Sequence, residues 1–342
     1  MSSHEVDAAA ALPTTPDVAG IPEERRGPRG YRPTALQEQL LLVALDDPDS
    51  AAVAWRSLRA RLSLDDLEPG SFELLPLAYR NVSRTTPDDP LLPRLKGIYR
   101  RSWVKNNLLL GTTSQIADTL RSVGVQTLFL EGPMQAVRYY GDLALRPSSS
   151  VHVLVPARDA PKASNQLEGH GWTTRPGSDG YPGWRVLFDA AGNICVLRSS
   201  LAFDYRGVGA GPSEGPLWED AETDSVSDTA VLVPSPTDAF LAACVAGARY
   251  GPLPPTQWLT DAVMILRACE IDWDRLIELA VTHGQGLRLR AALGCLLGLP
   301  VPERLAAAHA WLAGWSPTRK PSRRRSIPTR TSPTASRTAQ IC

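Results

Sequence analysis

The sequence predicts an α+β protein, a small mixed β-sheet flanked by N- and C-terminal helical regions. Two observations carry this. Apolar residues recur at helical spacing before residue 122 and again after residue 238. Between those limits the period changes to short, β-like apolar runs, beginning with QTLFL at 126–130 and VHVLV at 151–155.

In chain order, Leu40, Leu41, Leu42 and Leu45 form one apolar helix face. Phe72, Leu74, Leu75, Leu77 and Tyr79 form a second. A long helix follows from Pro93 to Ser122, with Pro93 suited to a first helical turn and Gly124 to a stop. Gln126–Leu130 then reads as a strand, Pro133–Tyr140 as a short helix and Val151–Val155 as a second strand. Asp159–Gly169 is helical, closing at Gly171. Trp184–Phe188 and Asn193–Leu197 read as two strands joined by the turn AAGN. Four further helices are expected at Ala239–Arg249, Gln257–Arg267, Trp273–Thr282 and Leu287–Leu297, stopped by Gly298 and Pro300. The chain divides accordingly into a disordered leader (1–33), a helical region (34–122), an α/β core (123–235), a C-terminal helical region (236–315) and a disordered basic tail (316–342). Both ends are too poor in large apolar side chains to offset ordering entropy.

Composition narrows the function. The 36 Lys and Arg residues balance the 36 Asp and Glu, but seven of the cations and no acid lie in 316–342, so the rest of the chain carries a net charge of −7. An acidic body disfavours nucleic acid as a partner. The five cysteines are scattered without a CxxC pair, which reads as a reduced chain with neither a disulfide framework nor a structural zinc site. No signal peptide and no run of 18 apolar residues is present, so the expected location is the cytoplasm, with no membrane partner. Heavy use of Ala, Arg, Gly and Pro points to a GC-rich, actinobacterial coding sequence.

Several segments then resemble, in order and spacing, a bacterial family of nucleotidyltransferase-like proteins within the nucleotidyltransferase-fold superfamily. They are LLPLAYRN at 74–81, KGIYRRSW at 96–103, Asn106 and Asn107, FLEGPMQAVRYYGDLALRPSSSVHVLVPARDA at 129–160, QWLTDA at 257–262 and IDW at 271–273. The resemblance spans roughly residues 38 to 300 and implies a sheet of nucleotidyltransferase type. In that superfamily a strand ends in a Lys-Gly or Gly-Ser turn whose amides cradle phosphates. The next strand presents two aspartates at i and i+2 on one face, and a later strand adds a third carboxylate to hold Mg²⁺.

This chain departs at each of those positions, which marks a degenerate member. The lysine of the turn is Glu131, followed by Gly132. The aspartate pair after Arg146-Pro147 is replaced by Ser150 and His152. The third carboxylate falls at about Cys195, and two histidines frequent in the family's next helix fall at Ala242 and Ala246. Serine and a lone histidine do not suit Mg²⁺, so no metal and no cofactor is expected.

The candidate site follows from these replacements. Glu131 and His152 are the candidate bases, set against the plainer readings of a helix-start carboxylate and a satisfied core histidine. Ser148, Ser149 and Ser150 are candidates to cradle an anion, or form a solvated turn. Arg146 and Arg198 are candidates for bidentate anion binding, with Arg146 equally suited to bracing its turn. Lys105 and Asn106 are placed along the same cleft, Tyr139 is a candidate contact despite reading more readily as core, and Asp261 is expected to cap or pair nearby. The functional expectation is a repurposed protein of bacterial specialised metabolism, such as antibiotic biosynthesis. It would carry out metal-independent transfer, elimination or cyclisation on a small anionic substrate, an amine or amino acid bearing phosphate or sulfate. The alternative is a non-catalytic pseudo-nucleotidyltransferase that binds a ligand or completes a hetero-complex with a biosynthetic partner protein. Nucleotidyl transfer through Asp142, Asp189 or Asp204 has little support, because these are not spaced as a metal pair on one strand.

Overall fold

The computed structural model describes residues 32–175, 183–200, 215–247 and 256–313. All of the leader except Arg32 and Pro33, the basic tail, Arg249 and Asp204 lie outside the described residues. Before the sheet come α1 (Ala35–Leu45), α2 (Pro48–Arg59), α3 (Pro69–Glu73), α4 (Leu75–Thr85) and α5 (Leu92–Arg121). Local chemistry starts them where they start. Thr34 and Gln37 form a reciprocal capping box on α1. Asp47 accepts from the amides of Asp49 and Ser50 at the head of α2, with Pro48 in its first turn. Gly124, at φ +71°, ends the chain's longest described helix.

The sheet region follows as β1 (Leu128–Glu131), α6 (Pro133–Gln135), β2 (Ser150–Leu154), α7 (Ala160–Gly169), β3 (Trp184–Phe188), β4 (Ile194–Arg198), α8 (Gly215–Glu219), β5 (Glu222–Val226) and β6 (Thr229–Val233). A single mixed sheet runs in the order β3-β4-β2-β1-β6-β5. β1 pairs antiparallel with β2 and parallel with β6, while β2 pairs parallel with β4. The chain closes with α9 (Pro236–Gly247), α10 (Gln257–Ala268), α11 (Trp273–Thr282), α12 (Gly286–Leu296) and α13 (Arg304–Ala313).

Three differences from the sequence reading stand out. β5 and β6 were not anticipated. β5, ETDSV, is an edge strand whose side chains are mostly exposed, so it has the polarity of a loop. α13 continues the helical region beyond the stop signal at Gly298 and Pro300. The short helix at 133–140 is one α-turn, Pro133–Gln135, running into a π-helical turn at Ala136–Tyr140.

One face of the sheet packs on α5 and α7. Leu109, Ile116, Ala117 and Leu120 of α5 and Ala163 and Leu167 of α7 share a core with Phe129, Val151, Val153, Cys195 and Leu197. Leu128, Leu130 and Leu154 point the other way, into a smaller cluster with Leu217. The N- and C-terminal helices build a separate core around Leu40, Trp55, Phe240 and Leu293, and Tyr139, Tyr140 and Leu145 from the β1–β2 connection are part of it. That connection therefore anchors the sheet to the helical body. No described helix is long and apolar enough to cross a membrane.

Candidate functional site

The site is made by a register shift. Leu128 pairs with Leu154 and Phe129 with Val153, but the next pair is Glu131 with His152, so Leu130 is an extra residue. Strict alternation from Phe129 would turn Glu131 toward α5. The bulge turns it onto the face of His152. Gly132 then takes φ +92°, and a Cβ built there would lie 2.5 Å from the carbonyl oxygen of Ser150. Only glycine allows the two strands to approach at this point.

Across β2 and β4, Arg198 reaches back to the bulge. Its Nη2 donates to Glu131 Oε1 at 3.1 Å and also to His152 Nδ1. The guanidinium lies over the Trp184 ring, 4.0 Å from its centroid, which covers its other side. Ser150 Oγ lies 2.8 Å from His152 Nε2. Because Nδ1 accepts from Arg198, the ring proton is assigned to Nε2, and His152 donates to Ser150. In this tautomer the histidine cannot take a proton from the serine. Burial and then the Arg198 charge lower the His152 pKa to about 4, against the opposing pull of Glu131. Burial pushes the Glu131 carboxyl up, but Arg198 leads the charges that hold it down at about 2. Both candidate bases are thus present and both are disarmed, one neutral and one ion-paired.

Arg146 forms the second cluster. Its Nε and Nη2 grip Asp261 Oδ1 and Oδ2 at 2.7 and 2.9 Å, and Nη1 donates to Gly132 O and to Ser148 Oγ, each at 3.1 Å. Tyr140 OH adds a bond of 2.6 Å to Asp261. Asn106 donates to the carbonyls of Leu143 and Arg146, fixing the loop that carries them. Arg146, Ser148, Ser150, His152, Glu131 and Arg198 are brought together. Ser149 is exposed beside them. Lys105 is elsewhere, bonded at 3.1 Å to Asn193 Oδ1 ahead of β4. Tyr139 is buried in the helical core, its hydroxyl without a partner among the described residues.

Glu73 was not anticipated. It ends α3 within the apolar run Phe72–Tyr79, and that lone acid in an apolar stretch was the signal available. Its carboxylate makes no hydrogen bond or ion pair among the described residues. Burial raises its pKa to about 7, with Arg146 opposing and Asp261 adding to the shift.

The donor set does not fit the divalent metal that the resemblance implies. Cys195 pairs with Val151 and is fully buried toward α5, so it does not share the face of Ser150 and His152. That corrects its placement as the third carboxylate position, since β4 presents Val196 beside His152. Both His152 nitrogens are engaged, and the nearest carboxylate is neutralised by Arg198. A divalent ion here would face a guanidinium. Asp142 caps its own turn and accepts from Tyr99, and Asp189 holds the β3–β4 turn through Asn193. Among the described residues no cluster of three His, Cys, Asp or Glu is positioned to hold a metal.

The chain belongs to the uncharacterised nucleotidyltransferase family, whose pattern matches residues 72–297. Among solved structures it is similar to an antigenic nucleotidyltransferase-like protein from Paracoccidioides brasiliensis, at 12% identity and a TM-score of 0.36, covering 58% of this chain and 95% of that one. No curated protein matches it.

Proposed function

We propose that this chain is a nucleotidyltransferase-fold binding protein that takes a small polar ligand without a metal ion and transfers no nucleotidyl group. The observation that carries this reading is the double donation of Arg198 to Glu131 and His152, which occupies both groups that would otherwise act as base. Charge matching supports it. Arg146 is paired with Asp261 and Arg198 with Glu131, so neither buried guanidinium is left to balance a polyphosphate. Ser148, Ser149 and Ser150 remain as neutral hydroxyl contacts. The test is magnesium-dependent pyrophosphate release from each of the four ribonucleoside triphosphates, alongside titration calorimetry with and without magnesium. Neither release nor triphosphate binding is expected, and release above the protein-free blank defeats the proposal.

A second reading, metal-independent transfer or elimination on a small amine, is favoured by Glu73. A carboxylate with no partner among the described residues and a pKa of about 7 is suited to proton transfer near neutrality. Absence of turnover counts against this reading, and turnover of an amine substrate that survives Glu73→Gln counts against Glu73 as its base.

A further inference from the structure

The two arginines of the site differ in how their forks are filled. Arg146 presents Nε and Nη2 as one edge, and Asp261 takes both. Arg198 presents the same edge, but its carboxylate, Glu131, is engaged through Nη2 alone. Its Nε is buried with no partner among the described residues, although Arg198 is only 6% exposed. A buried guanidinium with an unused donor is under-satisfied, because the desolvation of that N–H is not repaid by a hydrogen bond. Glu131 is the outermost member of the cluster. Its side chain is 34% exposed, against 7% for Arg198 and 19% for His152. A carboxylate thus sits at the mouth, over cationic and neutral donors that lie deeper.

We propose that Glu131 is a resident anion: it occupies an oxyanion seat built from Arg198, and by doing so sets the site against phosphate-class ligands. This rests on the reading above that the native site takes no polyphosphate, and it names the residue responsible. With the carboxylate gone, the seat would offer the Nε–Nη2 fork of Arg198 to two oxygens of one phosphoryl group, matching the way Arg146 holds Asp261. The Ser150 hydroxyl, whose own proton is not used by His152, would be a further donor on the same face.

The probe is inorganic pyrophosphate, followed by calorimetry and by thermal unfolding of the full chain. The wild-type protein is expected to show no saturable binding and no shift in Tm. Glu131→Gln is expected to unfold at lower temperature, since Arg198 loses its counter-ion, and to regain Tm as pyrophosphate is added. Its affinity should exceed that of the wild type about tenfold or more, the scale of one charge-assisted fork. Arg198→Met in the Glu131→Gln background should abolish the gain. Should Gln at this position prevent folding, Glu131→Ala serves in its place. Pyrophosphate binding by the wild type overturns the reading of a site closed to polyphosphates. A silent wild type together with silent, folded Glu131 variants overturns the resident-anion proposal while leaving that reading intact. Binding that persists in the double variant locates the anion elsewhere and overturns the assignment to Arg198.

Discussion

Arg146 and Asp261, 115 residues apart in sequence, meet in a bidentate ion pair in which both side chains are less than a tenth exposed. The pair ties the loop before β2 to α10, and so holds this end of the sheet against the helical body. Tyr140 closes the network through its hydroxyl.

Removing one partner leaves a buried, uncompensated charge. Asp261→Asn is therefore expected to lower stability by about 3–5 kcal/mol, and Tyr140→Phe by about 1 kcal/mol. Urea denaturation of the three proteins measures both. A loss below about 1 kcal/mol for Asp261→Asn would contradict the role given to the pair.

His152 gives the acid limb of the stability profile. Its folded pKa of about 4 lies below the unfolded value of 6.5. Between those values the unfolded chain binds more protons, so the contribution of His152 is complete above pH 6.5 and is lost as pH falls toward 4, by on the order of 3 kcal/mol. Glu131, depressed to about 2, continues the loss below 4.5. His152→Gln should flatten the upper part of this limb. Direct titration of the histidine ring by NMR is the sharper check, and a midpoint near 6.5 would refute the buried, neutral assignment.

Glu73 acts with the opposite sign. Its folded pKa, about 7, is raised above the unfolded value of 4.5, so the folded state holds the proton more tightly and stability falls as pH rises through 7. Glu73→Gln mimics the protonated form. It should match the wild type at pH 4 and exceed it at pH 8 by on the order of 1–3 kcal/mol. Equal stability of the two proteins at both pH values would show that the carboxyl is not strained.

Gly132→Ala tests the approach of β1 and β2. A φ of +92° strains any side chain, and the Cβ would stand 2.5 Å from Ser150 O. The expected loss is about 1–3 kcal/mol for the backbone alone, with the clash added to it. Thermal unfolding reads the loss, and an unchanged Tm would mean that the turn is free to relax.

Much of the scaffold is legible in the residues. Leu92–Arg121 reads as a helix from its period and its Pro and Gly punctuation, and β3 coincides with the run WRVLF. β5 was hidden because an edge strand need not bury side chains. The shared face of Ser150 and His152 was readable from strand alternation, and the resemblance implied that Arg146 and Ser148 belong beside them. Glu73 was not, because its neighbours in space, Arg146 and Asp261, are supplied by distant parts of the chain.

By itself the sequence determined which groups stand where the resemblance expects the lysine of the turn and the two aspartates: Glu131, and Ser150 with His152. It also determined that β2 carries Ser150 and His152 on one face, since alternation is a local property. What the tertiary structure alone decided is what those groups can do. The bulge at Leu130 turns Glu131 onto that face, and Arg198 arrives from β4 to fix the histidine tautomer and neutralise the carboxylate. The reason is that protonation state depends on charges and burial across the sheet, and neither is encoded in the spacing of residues along one strand.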